Sequence, residues 1–436
     1  MDIYNLVSFA GIFVLIGFAW LISADRKNMN WKVIFWGTSL QLLFAVFVFL
    51  IPIGSKIFLF LNEAVIKILE PASAGAKFVF GRLALAPGQA DPSGETSLGF
   101  ILAFQAFPTI IFFSALISIL YFFNIMQPII KGFAWLFTKL MKVSGAESLV
   151  TASNIFAGVE SALTVRPYLA RMTSSEFCTI LTAGMATVSS NVMVLYVLSL
   201  KTQFPAIAGH LISASVLSAP AALVMSKIIM PEKDVPETLG VNVSPYYEKE
   251  GSFFESIING ANAGVQMIIG IVALLIAALG LVALADLLFS ALGAKINLLI
   301  GLHFDWSLKN LISYIFYPFT LAMGIPLSDA SVTSKIIGER LIVTEVVSYR
   351  DLAAAIDKNL LHHSRSIVIT TYALCGFAHL ASMAIFVGGT AALAPGRTRS
   401  IAEVAFRALI AATLACFMTA CVAGTFFTET SILLGG

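Results

Sequence analysis

Runs of about twenty mostly apolar residues, the length that crosses a hydrocarbon layer as a helix, start near Ile3, Val33, Leu98, Thr179, Pro205, Ile257, Ile367 and Ile401. Nothing constrains the fold more. Inside a bilayer every backbone polar group must be satisfied within the chain, which leaves helices or closed barrels, and these runs have helical length. Charge agrees: 11% of the 436 residues are charged, against roughly 25% in soluble proteins. The first run has no basic residue before it, whereas Arg26, Lys27 and Lys32 follow it. That order predicts an uncleaved first helix with its N-terminus outside and its basic loop in the cytoplasm.

The connecting segments are of other kinds. Gly54 to Leu69 reads as a short interfacial helix and Pro71 to Thr96 as an external loop rich in Ala, Gly and Pro. Gln127 to Lys142 carries Trp135 with Lys131, Lys139 and Lys142, the pattern of an amphipathic helix lying in the interface. Met230 to Glu250 is the long polar connection. Net charge is +2 and the basic residues are scattered, so a nucleic-acid footprint is missing. Cys178, Cys375, Cys416 and Cys421 lie in apolar surroundings without metal-ligand spacing and read as packing residues.

Two segments, about Gly145 to Met172 and about Trp306 to Lys358, are too polar and broken to span simply. They read as re-entrant hairpins, since irregular backbone at membrane depth is allowed only inside protein or a wet cavity. Each is followed by a helix with a small, polar interruption: Leu181-Thr-Ala-Gly-Met-Ala-Thr-Val-Ser-Ser-Asn191 and Tyr372-Ala-Leu-Cys-Gly-Phe-Ala-His-Leu-Ala-Ser382. Paired interruptions in corresponding halves point to a secondary transporter's binding site near the midplane. With the first hairpin entering from inside and the second from outside, the repeats are inverted. The positive-inside rule gives a mixed result: Arg397 and Arg399 fall on the wanted side, whereas Lys309, Lys335, Arg340, Arg350 and Lys358 of the second hairpin do not.

Each hairpin carries a carboxylate, Glu160 in the first and Glu345 in the second. A charge at membrane depth costs at least ~2.5–3.5 kcal/mol unless paired or wet. Both read as acceptors for a polyhydroxyl or heterocyclic solute, the alternative being a carboxylate tied to backbone amides. Asn154 and Thr187, both at breaks, would with two freed carbonyls offer a hard-oxygen site for sodium; helix capping is the alternative. His379 and Ser382 lie three apart on one face. His379 reads as a substrate ligand, a proton carrier, or a ring satisfied by a backbone carbonyl. An enzyme would need a nucleophile–base pair or metal ligands, and neither motif is present; nor is a filter-like channel loop visible.

These residues resemble the concentrative nucleoside transporter family. Ala373-Leu-Cys-Gly-Phe-Ala-His-Leu-Ala-Ser382 is similar to the family's A-L-C-G-F-A-N-x-S-S, with Phe377 and Ser382 retained and His379 in place of Asn. Pro326-Leu-Ser-Asp-Ala330 resembles the approach to the second hairpin, and Thr344-Glu-Val-Val-Ser-Tyr349 resembles N-E-F-x-A-Y, which makes Glu345 the ribose-binding acid. Asn154-Ile-Phe-Ala-Gly158 resembles N-x-F-x-G, but the following Q-T-E-A-P is here Val159-Glu-Ser-Ala-Leu163, so the base-reading Gln is lost and the acid sits one place early. Gly184-Met-Ala-Thr-Val-Ser-Ser-Asn-Val192 resembles the broken helix after it.

The resemblance implies an all-α membrane protein with about eight transmembrane helices, two re-entrant helical hairpins in inverted repeats, and a homotrimer working by elevator-like alternating access. It implies solute binding by Val159, Glu160, Ser161, Val192, Glu345, Phe377, His379 and Ser382. Sodium would bind at Asn154, Thr187 and the Ala157 and Val188 carbonyls; no other cofactor is expected. The Glu345 carboxylate suits a ribose diol, because charge-assisted hydrogen bonds are the strong ones. The expectation is a sodium-coupled nucleoside symporter in the inner (cell) membrane, not an enzyme. A proton-coupled symporter, or one for another polar solute, is the alternative. The expected division is scaffold helices at 1–126, an interfacial helix at 127–142, a first hairpin and broken helix of the transport domain at 143–204, scaffold helices at 205–305 with a cytoplasmic loop at 230–250, a second hairpin and broken helix at 306–395, and a C-terminal scaffold helix at 396–436.

Overall fold

In the computed structural model the described residues are 2–86, 88–90, 94–247, 250–301 and 304–429. Positions 248–249 of the expected polar loop, 302–303 and 430–436 of the expected scaffold segments, and 87 and 91–93 of the expected external loop lie outside them. The described chain is helical, with isolated β-bridges at Ala90–Thr96 and Ser144–Leu239. In order come α1 (Ile3–Leu21), α2 (Trp31–Ala45), α3 (Pro52–Phe80), α4 (Leu102–Gln105), α5 (Phe107–Phe122), α6 (Met126–Met141), α7 (Gly145–Asn154), α8 (Ser174–Ala186) and α9 (Ser190–Leu200). They are followed by α10 (Ile207–Ile229), α11 (Phe253–Ile300), α12 (Leu308–Ala322), α13 (Leu327–Ile342), α14 (Glu345–Asp357), α15 (Ser364–Ala373), α16 (Leu380–Leu393) and α17 (Thr398–Phe426).

Among the described residues seven helical segments are long and apolar enough to cross a membrane, and seven of the apolar runs fall on them. The eighth, from Ile367, is split into α15 and α16, neither of spanning length.

Two expectations are corrected. The helix from Gly54 does not end at Leu69: α3 runs 29 residues from Pro52 to Phe80 with Pro71 inside it, so the loop begins only at Gly81, where φ is 55°. Pro71 removes one backbone donor, but the buried stripe Phe58, Asn62, Leu69, Ala72, Ala76 continues across it at helical spacing. The segment from Trp306 to Lys358 is likewise more than a hairpin. Its first part is a separate amphipathic helix, α12, that buries only Asn310, Ser313, Phe316 and Thr320, and the hairpin arms are α13 and α14, joined through Val343 and Thr344. With α12 recognised, both halves have one order: a one-sided helix (α6, α12), a hairpin, a broken helix (α8/α9, α15/α16), and a long buried helix (α10, α17).

The core forms where the halves meet. Helices α10 and α17 pack on each other and on α8 and α15, and α1 and α2 also join this body. Helix α5 pairs instead with α11, a 48-residue helix whose surface is otherwise largely uncovered. Glycine permits close approaches within this body. A Cβ on Gly184 would lie 2.3 Å from the Phe386 ring, and one on Gly376 would lie 2.6 Å from the Met185 carbonyl oxygen and from Cys416 Sγ. The break after α15 therefore sits directly on the end of α8. Alanine at Gly376 must push two backbones apart, so Gly376→Ala is expected to cost about 1–3 kcal/mol, in the range of core overpacking. A thermal melt of the purified protein in detergent checks this, and an unchanged midpoint would show the crossing to be loose.

Candidate functional site

The site is built from helix breaks. Helix α7 ends at Asn154, and α8 ends at Ala186 with Thr187 extended (φ −109°, ψ 166°) before α9 starts. A helix end leaves carbonyls without intrahelical partners. Here the two ends lie side by side: the Ser190 amide donates to the Phe156 carbonyl at 3.1 Å, and the Ser215 hydroxyl of α10 reaches the Ile155 carbonyl at 2.8 Å and the Val188 carbonyl at 3.4 Å. Asn154 is fully buried; its Nδ2 donates to the Val150 carbonyl at 3.1 Å, but Oδ1 has no hydrogen-bond partner among the described residues. The Thr187 hydroxyl donates to the Ala183 carbonyl at 2.8 Å, which leaves its lone pairs open. A buried oxygen without a donor is costly unless a cation or water meets it. An orphaned amide oxygen, a hydroxyl and freed carbonyls form a donor set that fits a small hard cation.

In the second half, Glu345 begins α14 and is buried. Its Oε1 accepts the Tyr196 hydroxyl at 2.6 Å, and its Oε2 lies 2.7 Å from His379 Nε2. His379 is the N-cap of α16: Nδ1 accepts the Ser382 amide at 3.2 Å, and Nε2 lies 2.8 Å from Ser382 Oγ. Because Nδ1 accepts, the neutral ring carries its proton on Nε2, toward Glu345 and Ser382. A second proton would have to take the lone pair that caps α16. The buried carboxylate is thus met by the Tyr196 hydroxyl of the first half and lies against His379 of the second, as buried charges require.

The first hairpin places its carboxylate differently. After Gly158 the chain turns into a 3-10 segment, Val159–Val165. Glu160 is exposed there and accepts the Gly158 amide at 3.1 Å through Oε2. It faces an open cavity of about 680 Å³ whose lining includes Ala157, Tyr121, Asn191 and Tyr247 but not Glu345 or His379. Tyr247, on the polar connection, lies against Tyr121, ring centroids 5.6 Å apart; burial, then Tyr121, pushes its phenol up, so it stays protonated. Val159 is half-buried and packs where Gly389 leaves room, while Ser161 is buried. Val192 and Phe377 are buried beside the breaks.

Of the residues singled out in the sequence, His379 touches both Glu345 and Ser382, whereas Glu160 lines an opening that does not include them. The missed residues are Tyr196 and Ser215. Tyr196 carried one signal, since it stands four residues after Val192 and so on its face. Several other buried charges tie helix ends together. Lys227 Nζ lies 2.7 Å from Glu147 and 3.3 Å from Glu232, where Glu147 and Glu176 complete capping boxes with Ser144 and Thr173. Asp329 binds the His362 and His363 amides and the Ser366 hydroxyl, and Arg365 binds Asn5, Ser8 and the carbonyls of Tyr4, Gly324 and Gly424.

Known proteins share this architecture. The family profiles described as Na+ dependent nucleoside transporter N-terminus and C-terminus match residues 10–83 and 210–424, and one described as Nucleoside recognition matches 103–203. Solute carrier family 28 member 3 of Mus musculus is 36% identical over 96% of this chain; the chain spans 58% of that relative's length. An uncharacterized transporter of Haemophilus influenzae is 34% identical, the match covering 97% of each. The structure of CNTnw in an inward-facing substrate-bound state superposes with a TM-score of 0.85 at 29% identity, covering 97% of this chain and 98% of that one.

Proposed function

This chain belongs to the concentrative nucleoside transporter family, and from that premise we propose that it is a sodium-coupled nucleoside symporter that imports its substrate by elevator-type alternating access. The observation that carries the sodium part is the buried, unpartnered Oδ1 of Asn154 beside two helix breaks. Asn154 Oδ1, the Thr187 hydroxyl and the Ala157 and Val188 carbonyls would hold the ion. Sodium there would neutralise the oxygens that hairpin and broken helix turn toward each other, so ion binding and an ordered hairpin favour the same state. Coupling of this kind is reciprocal: the solute tightens the ion as the ion tightens the solute.

The Glu345–His379–Ser382 cluster would take the ribose. Phe377 and Val192 supply apolar surface, and the hairpin tip Val159–Glu160–Ser161 would meet the base. The cap on His379 Nδ1 speaks against that ring as the carrier of a coupled proton. Alternating access would carry the body of α8, α10, α15 and α17 past the α5–α11 pair, since α11 makes few other contacts; this takes α10 and α17 out of the scaffold expected from the sequence, because both pack on the broken helices. A homotrimer in the cell (inner) membrane completes the reading.

Uptake of radiolabelled uridine and adenosine into proteoliposomes tests it. An inward sodium gradient alone is expected to drive accumulation, and a proton gradient alone is not. Proton-driven uptake indifferent to sodium would overturn the coupling ion. No uptake of either nucleoside by folded protein would overturn the substrate.

A further inference from the structure

Tyr196 stands on α9 in the first half, yet its hydroxyl donates to Glu345 Oε1 in the second. Its ring stacks on Tyr349, centroids 4.6 Å apart and planes inclined by 26°. Tyr349 is itself anchored by donation to the Thr371 carbonyl at 3.0 Å, and both tyrosines are fully buried. A stacked, buried phenol has little freedom to swing, so its O–H direction is set by packing. A carboxylate by contrast can rotate about its last bond and has two equivalent oxygens. Tyr196 removes that equivalence: Oε1 accepts the Tyr196 hydroxyl, whereas Oε2, 2.7 Å from the His379 Nε2 of the α16 cap, makes no hydrogen bond among the described residues.

We propose that Tyr196 is a positioning and specificity-determining residue, which reserves Glu345 Oε1 and leaves Oε2, on the His379–Ser382 side, to accept a single hydroxyl of the solute. The inference rests on the nucleoside reading and deepens it. With both oxygens free, a carboxylate chelates a vicinal diol and values its two hydroxyls alike. With Oε1 reserved, one ribose hydroxyl carries the contact and the other is dispensable.

The experiment is equilibrium binding of uridine, 2′-deoxyuridine and 3′-deoxyuridine to the purified, sodium-loaded protein. Wild type is expected to lose about tenfold or more in affinity for one deoxy analogue, the worth of a hydrogen bond to a charged group, and little for the other. In Y196F the ring stack remains but Oε1 is released, and the preference between the two analogues is expected to collapse. Y349F keeps the Tyr196–Glu345 bond and is expected to keep the wild-type preference. Equal losses for both analogues in wild type, read without any variant, overturn the proposal, as does a wild-type preference surviving in Y196F. If folded wild type binds none of the three, the nucleoside reading falls and this inference falls with it; uridine binding with equal losses overturns the role of Tyr196 alone.

Discussion

Asn154→Ala is expected to abolish any sodium dependence of uptake and to leave the protein folded. The two halves of that expectation have one cause. Oδ1 of Asn154 is buried and makes no hydrogen bond within the described protein, so removing it deletes a polar atom that folding leaves unsatisfied. The cost is the Nδ2 bond to the Val150 carbonyl, worth about 0.5–1.5 kcal/mol, and alanine returns a few tenths through helix propensity. Without sodium the variant should therefore melt close to wild type. With sodium the two should separate. A ligand that binds only the folded state stabilises by about 2.7 kcal/mol at a hundred times its dissociation constant, and the variant should forfeit nearly all of that. Melting curves in sodium against choline chloride, with uptake from the same preparations, provide the check. A variant that keeps the wild-type sodium shift would remove Asn154 from the ion site.

Glu345→Gln should lower kcat/KM for nucleoside uptake by about a hundredfold, near the upper range for a lost charge-assisted hydrogen bond. The substitution keeps the shape but not the acceptors. Tyr196 O–H donates to Oε1 and His379 Nε2 lies 2.7 Å from Oε2, and an amide has one oxygen, so either the Tyr196 hydroxyl or the His379 ring must face an NH2 group. That mismatch is buried, and a buried unpaired donor costs about 1–3 kcal/mol of stability in addition. Glu160→Gln makes the contrast. Its carboxylate is exposed and holds the Gly158 amide, so its stability effect should be small, and any change in uptake there reports on solute contact. Uptake kinetics with melts on both variants separate the cases. Equal, small effects would mean that Glu345 is a structural carboxylate only.

The spanning segments were legible because lipid leaves the chain little choice: an apolar run of helical length predicts itself. The recurrence of hairpin and broken helix was legible too, since Gly, Ser and Thr at depth have few other uses. What stayed hidden had competing signals. Pro71 and the small residues after it read as a loop, but the 3–4 spacing of Leu69, Ala72 and Ala76 kept α3 helical. Helix α12 is hard to tell from the hairpin by sequence because its polar face resembles one. In the site, the i,i+3 spacing brought His379 and Ser382 together, but nothing local announces that Tyr196 meets Glu345 across 149 positions of sequence. Nor does a carboxylate in a hairpin tell by itself whether it is enclosed, as Glu345 is, or open to a cavity, as Glu160 is.

Helix α11 has a consequence of another kind. Its 48 residues extend about 72 Å at 1.5 Å per residue, more than twice the ~30 Å of a hydrocarbon layer. It cannot stand along the membrane normal with its whole apolar length covered, and is expected to lie oblique to it. An oblique rod meets a thicker or thinner bilayer by changing its inclination, at a modest cost per ångström of mismatch. Activity should accordingly vary little across lipids of different acyl length, and the protein should work in organelles or hosts whose membranes would exclude a helix cut to a single thickness.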